Sequence, residues 1–152
     1  MITALAQTAR QQSQTVVLVT GVFDILHEEH QLFLQKAKAA GDLLLVGIEC
    51  DSRVTAMKGP ERPVNSQAKR QQALEALDIA DHVFILPENF GEVAARRQLI
   101  HDLKPTILAV SSHSPHLDAK QKMMAEVGGV VQVVHEHNPL VSTTLLLEKT
   151  NA

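Results

Sequence analysis

The chain has 152 residues, 45% of them hydrophobic, and a net charge of −3, which is enough for one domain with a real core and too short for two. Mild acidity argues against general nucleic-acid binding, and 3% aromatic residues with no Trp or Tyr leave no stacking platform for bases. No apolar run reaches the length of a membrane span, and the single cysteine, Cys50, allows no internal disulfide, which fits a reducing cytoplasm.

Residues 1 to 14 are rich in Gln, Thr and Ala and have no long apolar core, so they do not read as a secretory signal. They are expected to form a mobile lead-in or a frayed helix before a domain over 15–150. Val16 to Thr20 is apolar and short, as a buried parallel strand is. A helix follows, with Phe33, Leu34, Ala37 and Ala40 at helical spacing, and ends near Gly41. Asp42 to Glu49 is the second strand. Asp51 to Pro63 is polar, with two prolines and a glycine, and reads as a loop. Asn65 or Ser66 caps a helix to about Leu77. His82 to Leu86, Thr106 to Val110 and Val130 to Val134 read as three more strands, with helices over Glu92 to Leu103 and Leu117 to Val127 between them. Ser142 caps a last helix, Thr143 to Lys149. Strands alternate with helices throughout, so the fold class expected is α/β, a single Rossmann-like doubly wound sheet of about five parallel strands with helices on both faces.

The stretch Gly21-Val22-Phe23-Asp24-Ile25-Leu26-His27-Glu28-Glu29-His30 joins the first strand to its helix. That turn lies at the carboxyl end of the strand, where ligands bind in open parallel sheets. Gly21 permits backbone conformations other residues avoid and lets a ligand approach the main chain. Asp24 is expected to fix the turn by side-chain to backbone hydrogen bonds, and Phe23 to join the core. If the helix has begun by His27, His27 and His30 share one face of its first turn, where free N–H groups and the helix dipole favour an anion. Two isolated histidines would more simply cap a helix and pack. In this frame they point to a phosphate site. A metalloprotease motif is excluded, because it needs histidines four apart.

This stretch resembles the first signature of the cytidylyltransferase-like nucleotidyltransferases, Gly-x-Phe-Asp-x-x-His-x-Gly-His, with Glu29 at the glycine position. Lys58-Gly59-Pro60-Glu61-Arg62-Pro63-Val64-Asn65 resembles the Lys-Gly-x-x-Arg-Pro-Val-Asn segment of the family's sugar-phosphate branch, and Val141-Ser142-Thr143-Thr144 resembles its last signature, Ile-Ser-[Ser/Thr]-Thr. Arg70 shares a helix stripe with Leu74 and Leu77, and an inward arginine needs an anion partner. Asp51 to Leu77 and Ser142-Thr143-Thr144 look most like the adenylyltransferase half of heptose-phosphate activating enzymes, with glycerol-3-phosphate cytidylyltransferase next. Those heptose relatives carry Lys-Gly-Gly-Asp after the fourth strand, where this chain has Ser111-Ser112-His113-Ser114.

The resemblance implies transfer of a nucleoside monophosphate from ATP or CTP to a phosphorylated sugar or polyol, with release of pyrophosphate. It implies His27, His30 and Lys58 as catalytic residues. Gly21, Val22, Phe23, Asp24, Arg62, Arg70, Ser142, Thr143 and Thr144 would bind the nucleotide, and Asp51 and His113 the acceptor. Mg²⁺ would accompany the triphosphate, with no metal held by the protein alone. A homodimer is expected, and neither nucleic acid nor membrane. His113-x-x-His116 and His135-x-His137 have no third ligand spaced for structural zinc and read as loop residues; His113 and His135 to His137 follow the fourth and fifth strands, where they would line the acceptor pocket. Two other readings stand beside the enzyme. One is a degenerate relative that binds nucleotide without efficient turnover; the other is a purely structural domain, which leaves three signatures in order unexplained. Glu29 motivates the degenerate reading: a carboxylate about 4 Å from a phosphate costs on the order of 4 kcal/mol at an effective dielectric of 20. That cost vanishes if the side chain turns out to solvent or meets a magnesium ion.

Overall fold

The computed structural model describes residues 1–136. In chain order the elements are α1 (Ile2–Gln11), β1 (Val16–Gly21), α2 (Glu28–Ala39), β2 (Leu43–Ile48), α3 (Asp51–Lys58) and α4 (Gln67–Ala76). They continue with β3 (His82–Ile85), α5 (Val93–Leu103), β4 (Ile107–Ser111), α6 (Leu117–Ala125) and β5 (Val130–His135). The five strands form one sheet in the order β3-β2-β1-β4-β5, every neighbouring pair parallel. The chain steps outward from β1 to β3, then returns to the other side of β1 for β4 and β5. The direction of winding therefore reverses between β1 and β4, and a crevice opens there at the carboxyl ends of the strands.

Side chains alternate across the sheet and divide the core into two layers. Val17, Val19, Leu44, Val46 and Ile48 face α2 and α4, meeting Leu34, Ala37 and Leu74. Val16, Leu18, Leu45, Leu108 and Val110 face the other way, meeting Ala6, Ala9, Ile100, Leu103 and Met124 from α1, α5 and α6. Each fully buried Val or Leu in these layers contributes about 1.5–3 kcal/mol. This two-sided burial explains why the central strands read as continuous apolar runs rather than alternating ones.

Two segments differ from the expectation. Residues 1–14 take the helical alternative and are packed rather than loose: α1 buries Ala6 and Ala9 in the second core layer, and Arg10 donates from its guanidinium to the Leu103 carbonyl at the end of α5. The polar stretch after β2 is not all loop either. Its first half is α3, which buries only Val54, so its apolar signal is too thin to register. Gly59, with φ of 104°, ends it. The prolines that suggested a loop, Pro60 and Pro63, lie beyond that end. The helix expected over Thr143 to Lys149 lies outside the described residues. Among the described residues, no helix is long and apolar enough to cross a membrane.

Candidate active site at the β1–β4 crevice

The crevice holds a cleft of about 500 Å³. Its floor is the end of β1 and the turn behind it: Thr20, Gly21, Val22, Phe23 and Asp24 all line it. Gly21 has a steric role. A Cβ there would come within 2.8 Å of the Phe23 ring, and the left-handed residue is Phe23 itself, with φ of 51°. Phe23 is buried in the core layer beneath α2, and the chain turns sharply over it.

Asp24 fixes the turn, as expected, but through a distant segment. Its carboxylate accepts from the Val64 and Asn65 main-chain N–H groups, both at 2.8 Å, and from Arg62 Nε at 3.1 Å. Asn65 Nδ2 donates back to the Asp24 carbonyl at 2.7 Å. Burial alone would raise the Asp24 pKa. The two N–H donors and the Arg62 guanidinium outweigh it and hold the carboxyl below its ordinary range. The first signature and the Lys58-to-Asn65 segment are thus one hydrogen-bonded unit.

His27 caps α2 in an extended conformation and His30 sits in its first turn. Their rings stack with centroids 3.8 Å apart and planes 17° from parallel. The Phe23 ring meets His30 edge-on at 5.3 Å. Both imidazoles line the cleft beside the start of α2, so the expected face is formed although the helix begins one residue later than His27. Burial pushes the His30 pKa down to about 4; the charges of His27 and Lys58 act in the same direction, and a hydrogen bond with the Ile25 backbone opposes them. His30 is therefore neutral at pH 7.

Between pH 6.5 and about 4, the unfolded chain binds a proton at His30 that the folded chain does not. Stability then rises with pH across that window and is lost on acidification, by about 3 kcal/mol in all. Urea unfolding from pH 7.5 to 4 should show this loss, and His30→Gln should remove it. An unchanged pH dependence in His30→Gln would contradict the assignment.

Lys58 lines the cleft from the end of α3. Partial desolvation and the charge of Arg62 lower its pKa, while the Asp24 carboxylate opposes them. Arg62 stands behind it on Asp24 with its Nη2 buried and without a hydrogen-bond partner among the described residues. Arg70 is placed differently from the nucleotide-binding role. It is 1% exposed, and its guanidinium makes four hydrogen bonds, to the carbonyls of Val22, Glu49 and Asn65 and to Asp51 Oδ1. The anion its inward position calls for is Asp51, which also accepts from the Gln67 N–H at 2.7 Å. Neither Arg70 nor Asp51 lines the cleft; together they brace its floor.

The opposite wall comes from β4, α6 and β5: Ser111, His113, Ser114, Lys120 and His135 all line the cleft. His116 instead caps α6, and His137 and Ser142-Thr143-Thr144 lie outside the described residues. Sequence reasoning missed Lys120. Its signal was the one that singled out Arg70, a charge on an inward stripe, here Leu117-Lys120-Met124.

Glu29 neither turns out to solvent nor stands alone. Its side chain is 16% exposed and its Oε2 lies 3.2 Å from His135 Nε2. His135 Nδ1 lies 3.0 Å from Lys36 Nζ. An ammonium only donates, so Nδ1 accepts and the ring proton sits on Nε2, pointed at Glu29. The carboxylate is matched through the imidazole by a cation one face along α2. Among the described residues, no three His, Cys, Asp or Glu side chains cluster to hold a metal ion.

Comparison with known proteins shows the family. Residues 18–150 match the Cytidylyltransferase-like family model. The chain belongs to the cytidylyltransferase-like family. Among curated relatives of this cytidylyltransferase-like chain, the Bifunctional protein HldE of Geotalea uraniireducens is 34% identical over 149 residues, 97% of this chain and 29% of that protein. The Bifunctional protein HldE of Helicobacter pylori strain G27 is 40% identical over 104 residues, 68% of this chain and 21% of that protein. The chain thus spans less than a third of the length of these relatives. In structure it resembles the lipopolysaccharide core biosynthesis protein of Thermoplasma volcanium, with a TM-score of 0.65, 27% identity, and coverage of 82% of this chain and 98% of that one. Pantoate-beta-alanine ligase of Francisella tularensis, at 16% identity and a TM-score of 0.63 over 99% of this chain and 70% of that one, shares the fold.

Proposed function

We propose that the chain is a nucleotidyltransferase that moves a nucleoside monophosphate from ATP or CTP to a phosphorylated sugar or polyol and releases pyrophosphate. The observation that carries this reading is the stacked pair His27 and His30 at the start of α2, on the lip of the β1–β4 crevice, with Lys58 in the same cleft. An oxygen of the acceptor's phosphate attacks the α-phosphorus, a new P–O bond forms, and the bond to the β-phosphate oxygen breaks. The attacking phosphate is already ionised, so no general base is required. The protein positions charged groups and neutralises charge. His27 and His30 donate to the α-phosphate oxygens as charge builds there. Lys58, backed by Arg62, holds the outer phosphates, and Ser142, Thr143 and Thr144 belong with that role. His113 belongs with the acceptor.

The cleft's two carboxylates, Asp24 and Glu29, are already engaged. That donor set suits a magnesium ion that arrives on triphosphate oxygens and keeps waters, rather than one caged by the protein. When bound, the ion shields the charge of the leaving pyrophosphate.

The test is pyrophosphate release with ATP and CTP against a panel of sugar and polyol phosphates. Release with one pair is expected. No release with any pair, from folded protein that binds nucleotide, would overturn the reading. Lys58→Ala is expected to weaken triphosphate binding tenfold or more, about 1.5–3 kcal/mol, and monophosphate binding less. Calorimetric titration with both nucleotides checks this, and equal losses would remove Lys58 from the outer phosphates.

A further inference from the structure

The β4 side of the cleft holds a cation that no carboxylate among the described residues neutralises. Lys120 Nζ donates to Ser114 Oγ at 2.7 Å and enters no ion pair with a described acid. The acids lining the cleft are engaged elsewhere: Asp24 with Arg62, Val64 and Asn65, and Glu29 with His135. Burial lowers the Lys120 pKa, and the charge of Arg96 acts in the same direction. Arg96 is itself held by main-chain carbonyls, those of Phe90 and Gly91, and its charge also reaches Glu49, which pairs with Arg53.

A lysine free to choose sends its ammonium to water. The neighbouring α6 positions Asp118 and Lys122 do face solvent. Lys120 lies instead on the stripe between Leu117 and Met124, which packs on the sheet, and its head emerges in the cleft. A half-buried ammonium answered, among the described residues, only by a neutral hydroxyl has donors left for an anion.

The sheet order adds the second observation. Lys58 follows β2, the histidine turn follows β1 and Lys120 follows β4, and these strands lie side by side as β2-β1-β4. The two lysines therefore flank the histidines. In-line displacement at phosphorus places the entering and leaving groups on opposite sides of the centre, and in this reaction both groups are phosphates.

We propose that Lys120, steadied by Ser114, is a phosphate-binding residue that takes an oxygen of one substrate on the β4 side of the histidine turn, across from Lys58. The inference rests on the transferase reading for the identity of the two substrates. The phosphate belongs either to the nucleoside triphosphate or to the phosphomonoester acceptor, and the experiment separates them. Calorimetry on the full chain would titrate ATP, CTP, inorganic pyrophosphate and glycerol 3-phosphate into wild type, Lys120→Met, Lys120→Gln and Lys120→Arg, with thermal melts to certify folding. Met and Gln keep most of the packed stem and remove the charge. Both are expected to lose tenfold or more in affinity for at least one probe, and Arg is expected to retain most of it. Loss confined to ATP, CTP and pyrophosphate assigns Lys120 to the nucleotide; loss confined to glycerol 3-phosphate assigns it to the acceptor. Affinities within twofold of wild type for all probes, or no binding of any probe by wild type, would overturn the proposal. Because the readout is binding, a chain that binds through Lys120 yet releases no pyrophosphate would retire the transferase reading and leave the phosphate site standing.

Discussion

Alanine at His27 or His30 is expected to lower kcat about a hundredfold while moving nucleotide affinity much less. The stacked rings sit at the first turn of α2 and both line the cleft beside the helix terminus. His30 stays neutral down to about pH 4, so it contributes an oriented N–H dipole rather than a standing charge. Such a donor gains most when negative charge grows on the phosphate oxygens, which happens in the transition state and not in the bound ground state. Loss of one preorganised donor costs roughly 3 kcal/mol, which is the hundredfold. Pyrophosphate release under saturating nucleotide measures kcat, and a melt confirms that loss of the Phe23 contact has not unfolded the variant. Wild-type turnover in a folded His30→Ala protein would remove the histidines from the chemistry.

The largest stability effect is expected at Asp24. Its side chain is 0% exposed and pairs with an Arg62 that is 11% exposed. Asp24→Ala would leave that guanidinium and two main-chain N–H groups buried without their acceptor. Breaking a buried pair from one side costs about 3–5 kcal/mol, and urea unfolding of Asp24→Ala at pH 7 should show a loss of that size. The pH sign follows from the depressed folded pKa: the stabilisation is present above the ordinary carboxylate range and is lost as pH falls through the folded value. A loss below about 1 kcal/mol would mean that the 62–65 segment holds its place without Asp24.

The fold was legible because each strand is a short apolar run and the helices between them carry an inward stripe. The limits of that legibility are specific. α1 offers alanines where a larger apolar residue would have signalled burial, and α3 offers one valine in eight residues. At the site, the signature pointed to the turn after β1, and His27, His30 and Lys58 line one cleft there. The pairing partners were not legible, because they are distant in sequence: Asp24 meets Asn65 41 residues away, and Glu29 meets His135 106 residues away. Arg70 shows the boundary well. Its inward position announced a need for an anion, but only the folded chain shows that Asp51 supplies one.

The placement of α1 bears on how the chain should be cut. Three helices roof the second face of the sheet, and α1 is one of them, covering Val16 and Leu18 alongside Leu103. A clone beginning at residue 15 would strip Ala6 and Ala9 from that roof and uncover apolar strand surface that water would then meet. It would also leave the Leu103 carbonyl without Arg10. Trimming for crystallisation should therefore spare the first helix even though its sequence looks expendable.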